Sequence, residues 1–321
     1  MSQYGFSTEG TTIVSDFKDQ VKGRIFLITG PSQGGIGAET AISLAHGSPS
    51  TILLLGRSLP KIQPTIDAIH AINPSITTKF IPINLDSLSS VRAAATAILN
   101  DDSIPKLDVV INNAAIMACP HGLTTDGFEV QLGTNHLSHF LLTNLLMPKI
   151  LLAAPNARII NVASVGHLAS DIHYEDPNFT GGKDYVSWIA YGQAKTANIL
   201  FSVGLNQKLA GKGVRSFALH PGSIASGLQQ YLTPEMMTDA LKEWAKMGRQ
   251  LPQRRKNFQE GCSTTLRAAL DPSLAQQKMV YLNDCQPSED PEIVQPYAID
   301  GENAEKCWAM TEEMIGEKFE Y

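Results

Sequence analysis

The stretch "LITGPSQGGIGAET", Leu27 to Thr40, places glycines at 30, 34, 35 and 37, directly behind the apolar run "RIFLIT" of residues 24–29. A strand, a glycine-rich turn and the start of a helix, in that order, make a cradle for phosphates. Glycine permits a tight turn and close approach of a pyrophosphate, while the helix N-terminus offers free N–H donors and the positive end of its dipole. The plainer alternative is a flexible turn with spare glycines. Only the rest of the chain decides between them.

Similar runs recur as "TILLL" (51–55), "TTKFIPI" (77–83), "LDVVIN" (107–112), "ARIINVA" (157–163) and "VRSFALH" (214–220). Each is nearly continuous in apolar residues, the pattern of parallel strands buried on both faces. Segments such as "GAETAISLAH" (37–46) and "SLSSVRAAATAIL" (87–99) lie between them with helical spacing. The alternation predicts an α/β fold: a single Rossmann-type, doubly wound parallel sheet with helices on both faces. The expected organisation is one domain over 1–321, with an N-terminal extension at 1–20 and an elaborated C-terminal substrate region. In that region, about 222–260 forms a lid, followed by a last strand in "KMVYL" (278–282) and a helix near 302–318.

Composition removes several function classes. The net charge of −6 gives no basic footprint for nucleic acid or an anionic membrane. The apolar stretch "LSHFLLTNLLMPKILLAA" (137–154) is interrupted by Ser138, His139, Asn144, Pro148 and Lys149, and reads as a buried helix rather than a membrane span. The N-terminus lacks the basic and apolar segments of a signal peptide. Cys119, Cys262, Cys285 and Cys307 have no C-x-x-C spacing, against a zinc site or disulfide scaffold, so a cytoplasmic location is expected. His136, His139 and His167 have no acidic neighbour at metal-ligand spacing; they read as structural or pocket-lining, and no metal is expected.

Ligands of doubly wound sheets sit beyond the carboxyl ends of the strands. About 20 residues past the glycine loop, where an acid would select NAD, the sequence has Arg57, and no acid appears before Asp67. An arginine there can stack on adenine and pair with a 2′-phosphate, which favours NADPH over NADH. Asp86, after the third strand, either accepts from an adenine amine or caps the following helix. In "INNAA" (111–115), the asparagines, Asn113 among them, can tie neighbouring loops together, and the alanines leave room for a cofactor. Tyr191 is the one tyrosine with a lysine four residues on, Lys195, so the two share a helix face. A nearby ammonium is expected to lower the phenol pKa toward the working pH and make Tyr191 a usable acid or base. Ser164 closes the fifth strand, where a hydroxyl can hold a carbonyl oxygen beside Tyr191 or be a plain loop serine. Asn135, inside "EVQLGTNHLSHFLLTNLL" (129–146), either anchors a water chain from Lys195 or caps a distorted helix.

Taken in order, "TGPSQGGIG", "INNAA", Asn135, Ser164, "YGQAK" and "HPGSIAS" resemble the short-chain dehydrogenase/reductase superfamily, in its retinol-dehydrogenase-like and WW-domain-oxidoreductase-like branch. The resemblance spans about residues 20 to 320 and implies a catalytic tetrad of Asn135, Ser164, Tyr191 and Lys195. Tyr191 would be the proton donor, Ser164 the oxyanion partner, Lys195 the binder of the nicotinamide ribose, and Asn135 the end of the proton relay. It also implies cofactor contacts at Gly30, Ser32, Gly35, Ile36, Gly37, Arg57, Asp86, Asn113, Tyr191, Lys195, Pro221, Gly222 and Ser226, the last standing where the family usually has threonine. The glycine loop carries one residue more than the family's usual length; Gly34 is expected to absorb it while Gly35 and Gly37 keep their spacing to the helix. The 27-residue separation of Ser164 and Tyr191 is about twice the family's usual gap. The inserted loop's Tyr174, Phe179, Tyr185 and Trp188 either line an apolar pocket or pack the loop down. Met236, Met237, Trp244 and Met247 form a lid or a small local core.

The sequence thus reads as an NADPH/NADP+-dependent reductase of a ketone or aldehyde on a sizeable apolar skeleton. Its partners would be a small-molecule carbonyl or alcohol, with neither nucleic acid nor membrane, and an assembly of identical chains is compatible. The alternatives are an alcohol dehydrogenase running oxidatively, or an NADP(H)-binding sensor, scaffold or redox-neutral catalyst.

Overall fold

Eight strands make one sheet: β1 (Ile25–Thr29), β2 (Thr51–Gly56), β3 (Thr77–Pro82), β4 (Val109–Asn112), β5 (Ala157–Val162), β6 (Val214–His220), β7 (Tyr281–Asn283) and β8 (Gln286–Pro287). The computed structural model describes residues 3–238, 242 and 254–321, so Trp244 and Met247 lie outside the described residues. The strand order is β3-β2-β1-β4-β5-β6-β7-β8. β1 to β7 run parallel and β8 returns antiparallel. The order reverses between β1 and β4, which opens a crevice at their carboxyl ends.

The helices are α1 (Gly10–Asp16), α2 (Ile36–Ala45), α3 (Leu59–Ile72), α4 (Leu88–Leu99), α5 (Val130–Leu132), α6 (Ser138–Leu145), α7 (Met147–Leu151), α8 (Ser187–Lys208), α9 (Phe258–Leu270), α10 (Pro296–Ile299) and α11 (Gly301–Ile315). Alternate residues of each strand sort to two apolar layers, as a pleated strand requires. Phe26, Ile28, Ile52 and Leu54 join α1, α2, α3 and α9. Leu27, Leu53 and Leu55 join α4, α6, α8 and α11 on the opposite face. The N-terminal stretch takes part in this packing, since Ile13 and Val14 of α1 are buried against α9. Among the described residues, no helix is long and apolar enough to cross a membrane.

Three local readings need correction. β3 is not buried on both faces: it is an edge strand, exposed at Thr77 and Pro82, and its threonines, lysine and proline suit an edge. Of the strand expected over 278–282, only Tyr281 and Leu282 are in a strand; β7 extends to Asn283 and turns into β8 through Asp284 and Cys285, both at positive φ. The helix expected over 129–146 is divided by a π-helical turn, Gly133–Leu137, which contains Asn135.

The glycine loop joins β1 to α2 with a distinct job for each glycine. Gly30 has φ +69°, and a Cβ there would lie 2.9 Å from the Ala114 backbone. Gly34 has φ +75° with open space around it, a conformation and setting in which an added residue can be accommodated. Gly35 takes the N-cap position of α2 in extended conformation. At Gly37 a Cβ would fall 2.5 Å from Asn113 Nδ2 and 2.7 Å from the Gly30 carbonyl oxygen, so the obstruction comes from the neighbouring strand end. Gly37→Val should therefore lower the urea-measured unfolding free energy by about 1–3 kcal/mol through overpacking. Deleting Gly34, whose loop touches nothing at that point, should cost under about 1 kcal/mol, the small change usual for surface sites. A tolerated valine beside a destructive deletion would mean that the cradle is built from residues 30–34 instead.

Candidate active site at the carboxyl edge of the sheet

β5 ends at Val162 and leads through Ala163 to Ser164, which takes the N-cap position of a 3₁₀ turn, Val165–Ala169. The Ser164 Oγ accepts from the Gly166 N–H at 3.0 Å and lies beside the Tyr191 phenol, near enough to lower its pKa. Tyr191 and Lys195 lie one turn apart on α8, both buried. Lys195 Nζ donates to the Val162 carbonyl at 2.9 Å and sits 5.6 Å from the Tyr191 ring centroid. Two glycines permit this closeness. A Cβ on Gly166 would meet Tyr191 Cε1 at 2.7 Å, and one on Gly192 would meet the Gly166 carbonyl oxygen at 2.9 Å. The structure therefore brings Ser164, Tyr191 and Lys195 together.

Their electrostatics differ from the sequence expectation. Burial pushes the Tyr191 phenol up to about 12, with the Ser164 hydroxyl pulling the other way. Burial also pulls the Lys195 ammonium down to about 7. The phenol is raised rather than lowered, because loss of water penalises the charged forms of both groups. At neutral pH the phenol keeps its proton.

Asn135 lies at the π turn with its side chain committed to the loop after β4. Its Oδ1 accepts from the Ile116 N–H and its Nδ2 donates to the Ile116 carbonyl, both at 2.9 Å. Its own carbonyl pairs with His139 Nδ1 at 3.0 Å, and His139 Nε2 pairs with Thr29 Oγ1 at 2.9 Å. Thr29 Oγ1 already accepts from the N–H groups of Asn113 and Ala114, so it gives its proton to His139 Nε2. His139 then carries its hydrogen on Nδ1 and donates to Asn135. Its burial, which pulls the imidazole down to about 4, keeps it neutral. This line from β1 through His139 to Asn135 escaped the sequence reading. Its one visible signal is the threonine closing β1.

The remaining candidates ring the same edge. Asn113 Nδ2 donates to the carbonyl oxygen of Thr29 at 2.9 Å, tying the two strand ends, while Asn112 links Thr143 and Asn161 beneath them. Ser32 and the partly buried Ile36 flank Gly35, and Arg57 is exposed just past β2 with no ion pair among the described residues. Gln33 N–H donates to the Lys61 carbonyl, which sets a second cation beside the loop. Asp86 accepts from Thr125 Oγ1 at 2.9 Å and does not cap α4, whose N-cap is Ser87. Pro221 is buried, and Gly222 has φ +106° with Lys256 packed against it. Ser226 caps the turn Gly227–Gln229. Lys256 was missed: its side chain is fully buried and pairs with Asp284 at 2.6 Å.

The inserted loop is mostly packed down. Tyr174 OH donates to Asn303 Oδ1 at 2.6 Å, and Phe179 stacks edge-on against Tyr185. The Tyr185 hydroxyl shares its proton between Glu129 and the Cys119 carbonyl, both at 3.1 Å, and accepts from Gln131 Nε2. Only Trp188 turns to the site, joining Met117, Ala118 and Tyr191 together with Leu228, Leu232 and Met236. The described part of the 222–260 segment thus covers the tyrosine, while Met237 is half-buried outside that cluster.

A Rossmann-type sheet with a glycine loop at its switch point and a serine, tyrosine and lysine at its carboxyl edge defines a class of dehydrogenases and reductases. The chain belongs to the short-chain dehydrogenase family, whose model matches residues 24–237. It is 36% identical over 312 residues to the short-chain dehydrogenase/reductase prx1 of Penicillium roqueforti, covering 94% of this chain and 87% of that one. It is 34% identical to retinol dehydrogenase 12 of Mus musculus, covering 94% and 89%. Among solved structures, an uncharacterised protein from Mycobacterium paratuberculosis superposes with a TM-score of 0.68 at 31% identity, over 94% of this chain and 96% of that one. The protein is an oxidoreductase acting on alcohol or carbonyl groups, and its fold implies a nicotinamide cofactor. The N-terminus of α2, with no side-chain cap and a glycine at N-cap, fits the pyrophosphate of such a cofactor.

The Lys195 shift has a consequence for stability. Its pKa is lowered on folding, from 10.5 to about 7, so between those values the unfolded chain binds more protons. Unfolding free energy should rise with pH across that window relative to Lys195→Met, and the difference should be flat below about 7. Urea titrations of both proteins from pH 6 to about 9.5 check this; parallel curves would place the ammonium in water.

Proposed function

We propose that the chain reduces a ketone or aldehyde carried on a sizeable apolar skeleton and draws on NADPH to do so. The observation that carries this reading is the Tyr191 phenol, buried beside Ser164, one helical turn from Lys195 and protonated at neutral pH. Such a phenol holds its proton until a stronger base, the developing alkoxide, takes it. When bound, the nicotinamide supplies the hydride.

The chain's own residues do the rest. A carbonyl oxygen entering between Ser164 and Tyr191 accepts from both hydroxyls. As the oxygen gains charge, both hydrogen bonds strengthen, and the Tyr191 proton passes to it because an alkoxide is a far stronger base than a phenolate. Lys195, held by the Val162 carbonyl, stands close enough to stabilise the phenolate left behind and to reach the ribose. Asn135 anchors the far end of the relay, its carbonyl set by His139.

Arg57 supports the choice of NADPH. It is exposed at the end of β2, with Lys61 beside the same loop and no acid in the following turn to repel a 2′-phosphate. The glycine loop (Gly30, Ser32, Gly35, Ile36, Gly37), Asp86, Asn113, Pro221, Gly222 and Ser226 complete the proposed cofactor contacts. The cluster of Met117, Leu228, Leu232 and Met236 around Tyr191 supports an apolar substrate, as does kinship with proteins named for retinol. Four buried free cysteines suit the reducing cytoplasm.

Tyr191→Phe should reduce turnover of a responsive carbonyl by at least a thousandfold while leaving the calorimetric Kd for NADPH within about threefold. Arg57→Asp should reverse a preference for NADPH over NADH of at least about tenfold, or 1.4 kcal/mol. Substantial activity in Tyr191→Phe would move the protein to redox-neutral chemistry, and equal wild-type affinities for the two cofactors would remove the role given to Arg57.

A further inference from the structure

Trp188 is the second residue of α8 and lies one turn before the proposed proton donor. Its ring meets Tyr191 edge-on, with centroids 6.1 Å apart and planes at 79°. It belongs to the apolar patch of Met117, Ala118, Leu228, Leu232 and Met236, none of which presents a strong hydrogen-bond acceptor on its side chain. Yet the indole Nε1 is buried and has no hydrogen-bond partner among the described residues. The contrast with Trp308 is direct: that indole donates to Glu312 at 2.8 Å.

A buried donor left unpaired costs stability. Packing alone gives no reason for one, since a phenylalanine would fill much of the space without the cost. An indole N–H also rarely stays dry without purpose, because tryptophan normally finds an acceptor when buried. The backbone does not supply one here. Ser187's carbonyl is taken by Gln131 Nε2, and Tyr185 is held by Glu129 and the Cys119 carbonyl. These bonds fix the start of α8 and hence the bearing of Trp188. The donor is thus held firmly, against the ring of Tyr191, beneath the segment containing Leu228, Leu232 and Met236.

We infer that Trp188 is a specificity-determining residue: its indole N–H receives a second oxygen of the substrate, separate from the carbonyl that is reduced. The substrate class narrows accordingly, to an apolar skeleton bearing a carbonyl, ether or hydroxyl oxygen at a distance from the reacting carbon. This rests on the proposed reading of the Ser164–Tyr191 cleft as the carbonyl site. A substrate with the second oxygen loses little on leaving water, since the indole replaces a water molecule. One without it leaves the donor unpaired, and a site built around a polar contact rejects such analogues strongly.

The test uses matched ketone pairs on one skeleton, with and without a second oxygen: 1-decalone with decalin-1,5-dione, 1-tetralone with its methoxy derivatives, and 2-undecanone with undecanediones. Each is assayed with NADPH against wild type, Trp188→Phe and Trp188→His. In wild type at least one oxygenated member should exceed its partner at least tenfold in kcat/KM, after correction for the number of carbonyls. Trp188→Phe should reduce that preference to under threefold, through a larger rise in KM for the oxygenated member than for the plain ketone. Trp188→His, which restores a ring N–H, should recover part of it. Equal treatment of all pairs by wild type, or an undiminished preference in Trp188→Phe, would overturn the role of Trp188 and leave the carbonyl site standing. Failure of wild type to reduce any of the ketones would overturn the reading of the site and this inference with it.

Discussion

The site depends on one close contact, between the turn that follows β5 and the first half of α8. Gly166 and Gly192 make it, and neither has room for a side chain: their Cβ atoms would come within 2.7–2.9 Å of Tyr191 and of the facing backbone. That approach brings the Tyr191 phenol beside Ser164 and lets Lys195 reach back to the carbonyl of Val162. It also removes water from both titratable groups, the physical origin of their opposite shifts. Geometry and protonation state therefore have a common cause.

The sheet supports that contact from beneath through buried polar bonds that leave little freedom. Asn112 joins β4 to Asn161 of β5 and to Thr143 of α6, and Asn113 joins β4 to the end of β1. Thr29 then passes its proton toward His139, which fixes the carbonyl of Asn135 at the π turn. Each partner's donors and acceptors are used in one consistent pattern, so the carboxyl edge is set as a unit. A π turn costs regular helix bonding, and its position at Asn135 follows the tendency of such turns to occur at functional sites.

Much of this was legible in the sequence because the governing signals are local. Continuous apolar runs marked the buried strands, and the i, i+4 spacing placed Tyr191 and Lys195 on one face. Gly34 adopts φ +75° in open space, the backbone freedom expected of glycine in that loop. What was missed depends on tertiary context. The edge exposure of β3 follows from strand order, which no single strand encodes. The Glu129–Tyr185–Gln131 bonds and the Lys256–Asp284 pair join residues 54–56 and 28 positions apart. The shift of Tyr191 was assigned the wrong sign because spacing reveals a neighbouring cation, whereas burial of both groups appears only in the folded chain. Of the four loop aromatics, three hold the insert down and only Trp188 faces the site, a division that composition cannot make.

The most direct measurement is the steady-state turnover of Gly166→Ala on any carbonyl that the wild type reduces, taken with its calorimetric NADPH affinity at a temperature where urea titration finds it folded. A single methyl group there must push the Tyr191 ring away from Ser164, and a displacement of about 1 Å in a reacting group costs on the order of a hundredfold in rate. The result predicted is a fall in kcat of about that size, with cofactor affinity kept within about threefold. Turnover within about threefold of wild type, in a folded protein, would contradict the claim that this contact positions the proton donor.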